Sequence, residues 1–470
     1  MASSSIDRRS ILKGAIAASA VGAVPALAAG QPQTQRPNFL YIMADDMGFA
    51  DLSCYGRDDY ATPHIDALAR SGMQFMQAYS NSAVCTATRV GLITGRYQYR
   101  LPIGLEEPLS GRPVGLPPEH PTIASLLRKA GYATSLIGKW HLGNLPRYGP
   151  LQSGYDTFWG FRSGGVDYFN HNTVGNRHDL WDGDHEVHET GYLTDLLGDR
   201  AIATMENYAH GTKPFLMSLH FSAPHWPWEG LADQAESERL AKTSNPMGLM
   251  DIDGGTMKTY AEMVTRLDMQ VGRVLAALKR LKLDRNTVVV FTSDNGGERF
   301  SKTWPFSGHK SELLEGGLRI PAVVRWPGVT RAGSRSEAQI ISMDWMPSFL
   351  AAAGATADPA YALDGVDIRP ALSGGSLPQR ALFWRYKNQA QEAMRLGDWK
   401  YLKIAGNSFL FNLAGDPMER ANLKTIQPER FAAMQQAWAD WSHTMLPLDP
   451  ASTSHILTGA DVADRYGVGP

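Results

Sequence analysis

From Pro37 onward, short uninterrupted apolar runs alternate with longer stretches whose apolar residues recur every three or four positions. This alternation predicts a sheet covered by helices on both faces. Four runs stand out, at residues 39–43, 135–137, 215–221 and 288–291, because each gives way at once to a polar cluster. The clusters are Asp45-Asp46, Gly138-Lys139-Trp140-His141, Ala223-Pro224-His225 and Ser293-Asp294-Asn295-Gly296-Gly297. Asp, Asn and Gly after a strand can mean no more than a turn. Four such clusters holding two histidines and a lysine point further, because open α/β sheets bind ligands beyond the carboxyl ends of their strands. The clusters are expected to converge on one crevice.

Between these runs, Tyr260, Met263, Val264, Leu267, Val271, Val274, Leu275, Leu278 and Leu281 keep helical spacing and predict a core-packing helix. The last third changes character. Segments 381–385, 393–396, 399–404 and 409–413 read as short strands separated by turn residues, followed by a helix over 428–441. A small antiparallel sheet with a packed helix is therefore expected after the Gly374-Gly375 turn. This places a main domain over residues 36–373 and a smaller subdomain over 374–470.

Composition narrows the partners. The 470 residues are 43% hydrophobic, enough for a sizeable core, and the net charge of −2 comes without any basic run, which argues against a nucleic-acid surface. No segment has the eighteen or more uncharged apolar residues of a permanent membrane span. Two cysteines, Cys54 and Cys85, are too few for a disulfide framework or a thiolate zinc site, and Cys54 reads as a small buried hydrophobe. At the amino terminus, Asp7-Arg8-Arg9-Ser10-Ile11-Leu12-Lys13 precedes an alanine-rich stretch ending in Ala26-Leu27-Ala28. Residues 1–28 thus look like a twin-arginine export signal, which implies the twin-arginine machinery as a partner and a periplasmic or secreted product.

The segment from Cys85 through Thr86-Ala87-Thr88-Arg89 is expected to start a helix at the cysteine, where free amides favour an anion and a thiolate. Cys85-x-Ala87-x-Arg89, followed by Thr94-Gly95-Arg96, resembles the signature of the sulfatase family, in which the cysteine is oxidised to formylglycine. Other motifs of that family recur in order between Pro37 and Tyr401. Asp45-Asp46-x-Gly48 and Ser293-Asp294-Asn295-Gly296 resemble its paired calcium ligands. Gly138-Lys139-Trp140-His141, Pro224-His225 and Gly308-His309-Lys310 resemble its sulfate-binding and leaving-group segments, and Glu315-Gly316-Gly317-x-Arg319-x-Pro321 follows. The family's usual residue at position 87 is proline, so the modifying enzyme, a formylglycine-generating enzyme or a radical maturase, stays open.

The resemblance implies an alkaline phosphatase-like α/β fold: a large, mostly parallel mixed sheet flanked by helices, with a smaller C-terminal antiparallel sheet and helix. It also implies one calcium ion, with magnesium second, held by Asp45, Asp46, Asp294, Asn295 and the modified Cys85. Carboxylates and an amide form a hard oxygen shell suited to either ion. Hydrated formylglycine at 85 would attack sulfur, with Asp294 assisting as base. Arg89, Lys139 and Lys310 would gather the sulfate oxygens, His225 would protonate the leaving oxygen, and His141 would take a proton so that sulfate departs. The implied partner is a sulfated saccharide or small molecule. Alternatives are a phosphonate or phosphate ester hydrolase of the same superfamily, or an anion-binding relative without catalysis. Tyr97, Tyr99, Tyr168, Trp226, Trp228 and Trp304 are candidate stacking surfaces or packing. A second metal site among His171, His178, His185, His188, Asp182 and Asp184 is the less favoured reading of that polar loop.

Overall fold

A computed structural model describes residues 36–105, 113–243, 248–453 and 458–465. The proposed export signal lies outside the described residues. The four apolar runs become strands β1 (Asn38–Ala44), β2 (Ala133–Lys139), β3 (Phe215–His220) and β4 (Thr287–Ser293). They lie side by side in the order β4-β1-β3-β2, all parallel. Registers are level at the carboxyl ends, with Met43 beside His220, Ala44 beside Ser293 and His220 beside Gly138. Thr157–Phe161 extends the parallel set beyond β2, and antiparallel pairing with Ala322–Arg325 and Trp181–Asp182 continues the ten-stranded mixed sheet on its two sides.

Central strands carry continuous apolar runs because both faces are buried. Along β1, Leu40, Ile42 and Ala44 enter one core while Phe39, Tyr41 and Met43 enter the other. Helices Leu193–Ala209 and Met257–Arg280 supply the first core, and Cys85–Thr94, Ile123–Lys129 and Trp345–Ala353 the second. Met257–Arg280 covers the expected core-packing helix. Its start is capped by the Thr256 hydroxyl, which accepts from the Thr259 amide.

The C-terminal strands Ala381–Tyr386, Gln391–Leu396, Trp399–Ile404 and Asn407–Asn412 form an antiparallel meander, and helix Pro428–His443 packs on it through Met434. The opposite face, with Leu382, Trp384, Leu402 and Phe411, shares a core with Tyr79, Val84, Ala87, Leu313 and Leu318. The described residues from Arg36 onward cluster as one compact unit. The small sheet is thereby packed directly behind the start of the Cys85 helix.

Candidate active site

Each of the four parallel strands releases its polar cluster at the same edge. β1 ends at Asp45 and Asp46, whose φ of 61° is left-handed, and the Asp45 amide donates to Ala223 O. β2 ends at Lys139, and His141 is also left-handed at φ 56°. Non-glycine residues are uncommon there and concentrate at functional sites. Helix Cys85–Thr94 begins at the cysteine with no side-chain cap and ends at Gly95, whose φ of 64° suits glycine. Arg89, four residues along, shares the cysteine's face of the helix.

These segments bring together Asp45, Asp46, Cys85, Arg89, Lys139, His225, Asp294, Asn295 and Lys310, all buried. Lys139 Nζ donates to Asp45 Oδ2 at 2.6 Å, and Lys310 Nζ to Asp46 Oδ2 at 2.6 Å. Arg89 donates to Asp294 Oδ2 at 2.8 Å and lies 3.6 Å from Asp45 Oδ1. Cys85 Sγ stands 3.5 Å from Asp45 Oδ1 and 3.9 Å from Asp46 Oδ1. His225 Nε2 is 3.6 Å from Asp46 Oδ2, while its Nδ1 is bonded to Trp226 O at 2.7 Å. That carbonyl can only accept, so the proton of the neutral ring sits on Nδ1. His141 is buried beside the others, with neither ring nitrogen hydrogen-bonded.

Burial and charge set the electrostatics. Burial pushes the Cys85 thiol well up, and Lys139 and Lys310 only partly counter it. The helix start expected to favour a thiolate is present, but the loss of water outweighs it. Burial and the adjacent Asp294 also raise Asp45 well above the carboxylate range. Burial would raise Asp294 too, yet Arg89 and Lys139 outweigh it and hold that group down. Burial, then the nearby lysines, depresses both His141 and His225 well below the usual histidine range.

The donor set suits a hard divalent cation. Asp45, Asp46, Cys85 and His225 can each offer an atom within 4.8 Å of one another. Asn295 Nδ2 donates to Asp46 Oδ1 at 2.7 Å, while Asn295 Oδ1 is buried without a partner. An orphaned amide oxygen beside three carboxylates is what an oxygen-loving ion satisfies.

Sequence reasoning gave His220 and Ser293 no role of their own and missed the Gly164-Gly165 turn. His220 Nδ1 lies 3.4 Å from Arg89 and 3.2 Å from Lys139 O, and Ser293 Oγ accepts the Met47 amide. Of the aromatic stacking candidates, only Trp304 is open, at 60% exposure. Tyr97 and Tyr99 pack edge-on against Trp441, Tyr168 stacks on Tyr192, Trp228 packs on Phe300, and Trp226 lies against the His225 ring. In the polar histidine loop, His178 and His188 stack at 4.1 Å, and ring nitrogens of His171 and His178 are bonded to Gly191 O and Val187 O. Cys54 is half-buried against the core.

Residues 37–355 match the sulfatase family model. The chain belongs to the sulfatase family. It is thus a sulfuric ester hydrolase of the alkaline phosphatase superfamily. It is 31% identical over 402 residues to N-acetylgalactosamine-6-sulfatase of Canis lupus familiaris, covering 79% of this chain and 72% of that one. The crystal structure of Ps i-CgsB in complex with k-i-k-neocarrahexaose is 31% identical, with a TM-score of 0.80 over 88% of this sulfatase and 94% of that chain. The phosphonate monoester hydrolase of Agrobacterium radiobacter, at 20% identity and a TM-score of 0.59 over 87% and 95%, shares the fold.

Proposed function

We propose that this sulfatase removes sulfate from a sulfated saccharide, using residue 85 as formylglycine and one calcium ion. The observation that carries the reading is the position of Cys85: buried at a helix start, 3.5 Å from Asp45, between Lys139 and Lys310. A buried thiol held neutral makes a poor nucleophile, which supports its conversion to an oxygen-bearing side chain. Likeness to N-acetylgalactosamine-6-sulfatase and to a neocarrahexaose complex supports a saccharide substrate.

Calcium, when bound by Asp45, Asp46, Asp294 and Asn295, offsets the charge of the ester oxygens and polarises the sulfur centre. The chain's own groups do the rest. Arg89, Lys139 and Lys310 turn their positive groups toward the carboxylates around Cys85, and charge-assisted bonds from them hold the non-bridging oxygens. Asp294, kept ionised by Arg89, is suited to accept a proton from the attacking hydroxyl. His225 Nε2 and Lys310 Nζ both approach Asp46 Oδ2, which supports their serving the leaving oxygen, Lys310 as cation and His225 as proton donor in its doubly protonated form, since Nε2 of the neutral ring carries no proton. His141, with both nitrogens free, is suited to take the second proton that releases sulfate.

Residues 8–13 support export through the twin-arginine route to the periplasm or beyond. A formylglycine-generating enzyme or radical maturase is the required partner. Parallel assays of sulfated oligosaccharides, aryl sulfates, aryl phosphates and phosphonates test the function. Sulfate release from saccharides should dominate, and dominant phosphoester or phosphonate turnover would overturn the assignment.

A further inference from the structure

The loop between Phe161 and Tyr168 runs along both histidines. The His141 amide donates to Arg162 O at 3.1 Å, and the Tyr168 hydroxyl donates to His225 O at 2.9 Å. Asp179 fixes the start of the loop by accepting from the Arg162 amide at 3.2 Å and the Ser163 amide at 2.8 Å. Ser163 Oγ donates to Gly165 O at 3.1 Å. Two consecutive glycines, Gly164 and Gly165, occupy the turn.

Glycine usually marks a backbone that other residues cannot adopt, but neither of these has a φ in the left-handed region. Space is what excludes a side chain. A Cβ on Gly164 would lie 2.8 Å from His141 Cε1 and 2.9 Å from Nε2. On Gly165 it would lie 2.9 Å from His225 Cε1, 3.2 Å from Nδ1 and 3.3 Å from the Trp226 ring. Both imidazoles are buried, so neither can swing into solvent. His141 has no hydrogen bond to its ring, so packing alone sets the direction of its nitrogens.

We propose that Gly164 and Gly165 are positioning residues, one for each imidazole: their bare backbone is the wall that fixes where His141 and His225 aim their nitrogens. This deepens the function proposed above and rests on it for the histidines' roles, though not for the geometry. A displacement near 1 Å at such a group costs roughly 10²-fold in rate. The rule is specific: one glycine, one ring.

The test uses full-length enzyme carrying 13C-labelled histidine, with ring signals assigned through His141→Gln and His225→Gln. Gly164→Ala should move the His141 ring signal and spare His225, and Gly165→Ala should do the reverse. Both should lower kcat on an aryl sulfate by roughly 10²-fold with little change in KM. For Gly165→Ala, the loss should grow as the leaving phenol becomes less acidic. In a double-mutant cycle, Gly165→Ala should cost less than about twofold on a His225→Ala background, where the ring it displaces is gone. If Gly165→Ala alone does not fold, the double variant decides, because deleting the ring makes room for the methyl group. An unfolded double variant, unmoved ring signals, or the same fold-loss on both backgrounds overturns the proposal. Full turnover by Cys85→Ala would instead defeat the functional reading while leaving the ring signals as the geometry requires.

Discussion

Lys139 Nζ stands 2.6 Å from Asp45 Oδ2, and neither side chain is exposed. A buried pair of this kind stabilises little over an apolar pair of the same shape, but losing one partner leaves an uncompensated charge. Lys139→Met should therefore destabilise the fold in chelator, by up to about 3–5 kcal/mol where Asp45 is ionised and by less where its raised carboxyl takes up a proton, and lower kcat by about 10²–10³. Adding Asp45→Asn should recover stability without recovering rate. Denaturant unfolding of both variants checks the pair.

Metal dependence follows from the same carboxylates. Chelation should abolish turnover and lower the thermal midpoint, and calcium should restore both, because a ligand that binds only the folded state stabilises it by mass action. Asn295→Leu removes the orphaned amide oxygen and should flatten the dependence of the midpoint on calcium. An undiminished calcium response in that variant would remove Asn295 from the ligand set.

Behind the site, Lys400 joins Glu315 at 3.0 Å and Glu419 at 2.8 Å, all three buried. Burial raises Glu419 to about 7, with Lys400 opposing it. Lys400→Met strands Glu419, while Glu315 keeps Arg319 at 2.7 Å, and should cost about 3–5 kcal/mol. Glu419→Gln added to it should return part of that loss. Because the Gly316-Gly317 turn beside Glu315 accepts the Gly296 amide at Gly317 O, the single variant should also weaken calcium binding next door at Asn295.

Glu229 is pushed up to about 10, first by burial and then by Asp167, whose Oδ2 is buried without a hydrogen bond. Asp251 adds to the shift, and the Tyr168 amide opposes it. The folded state thus keeps a proton that the unfolded chain gives up in the ordinary carboxylate range. Stability from this group is full at low pH and is lost as pH rises from about 5 to about 10. Glu229→Gln should flatten the fall in thermal midpoint across that window, measured at constant salt and calcium.

The main sheet was legible because its central strands are buried on both faces, so each reads as one apolar run with an abrupt polar end. That is why Asp45, Lys139, His225 and Asp294 could be aligned from sequence and why their strands prove to be neighbours. The aromatic residues misled for a physical reason: Tyr97, Tyr99, Trp226 and Trp228 sit on loops that look exposed in sequence, yet each ring has a packing partner far along the chain or beside the site. Glu315, Lys400 and Glu419 were unreadable as a unit, because charge pairing over such separations leaves no local periodicity. Gly164-Gly165 likewise reads as an ordinary turn until the two rings are seen against it.

The proposed chemistry turns on the side chain at position 85. Trypsin should release residues 71–89 as one peptide, and conversion of CH₂SH to CHO lowers its mass by about 18 Da, off the usual cysteine oxidation ladder. Protein purified from its native host should show the lighter peptide in proportion to its specific activity. A fully active preparation whose peptide keeps the unmodified thiol mass would exclude formylglycine as the nucleophile.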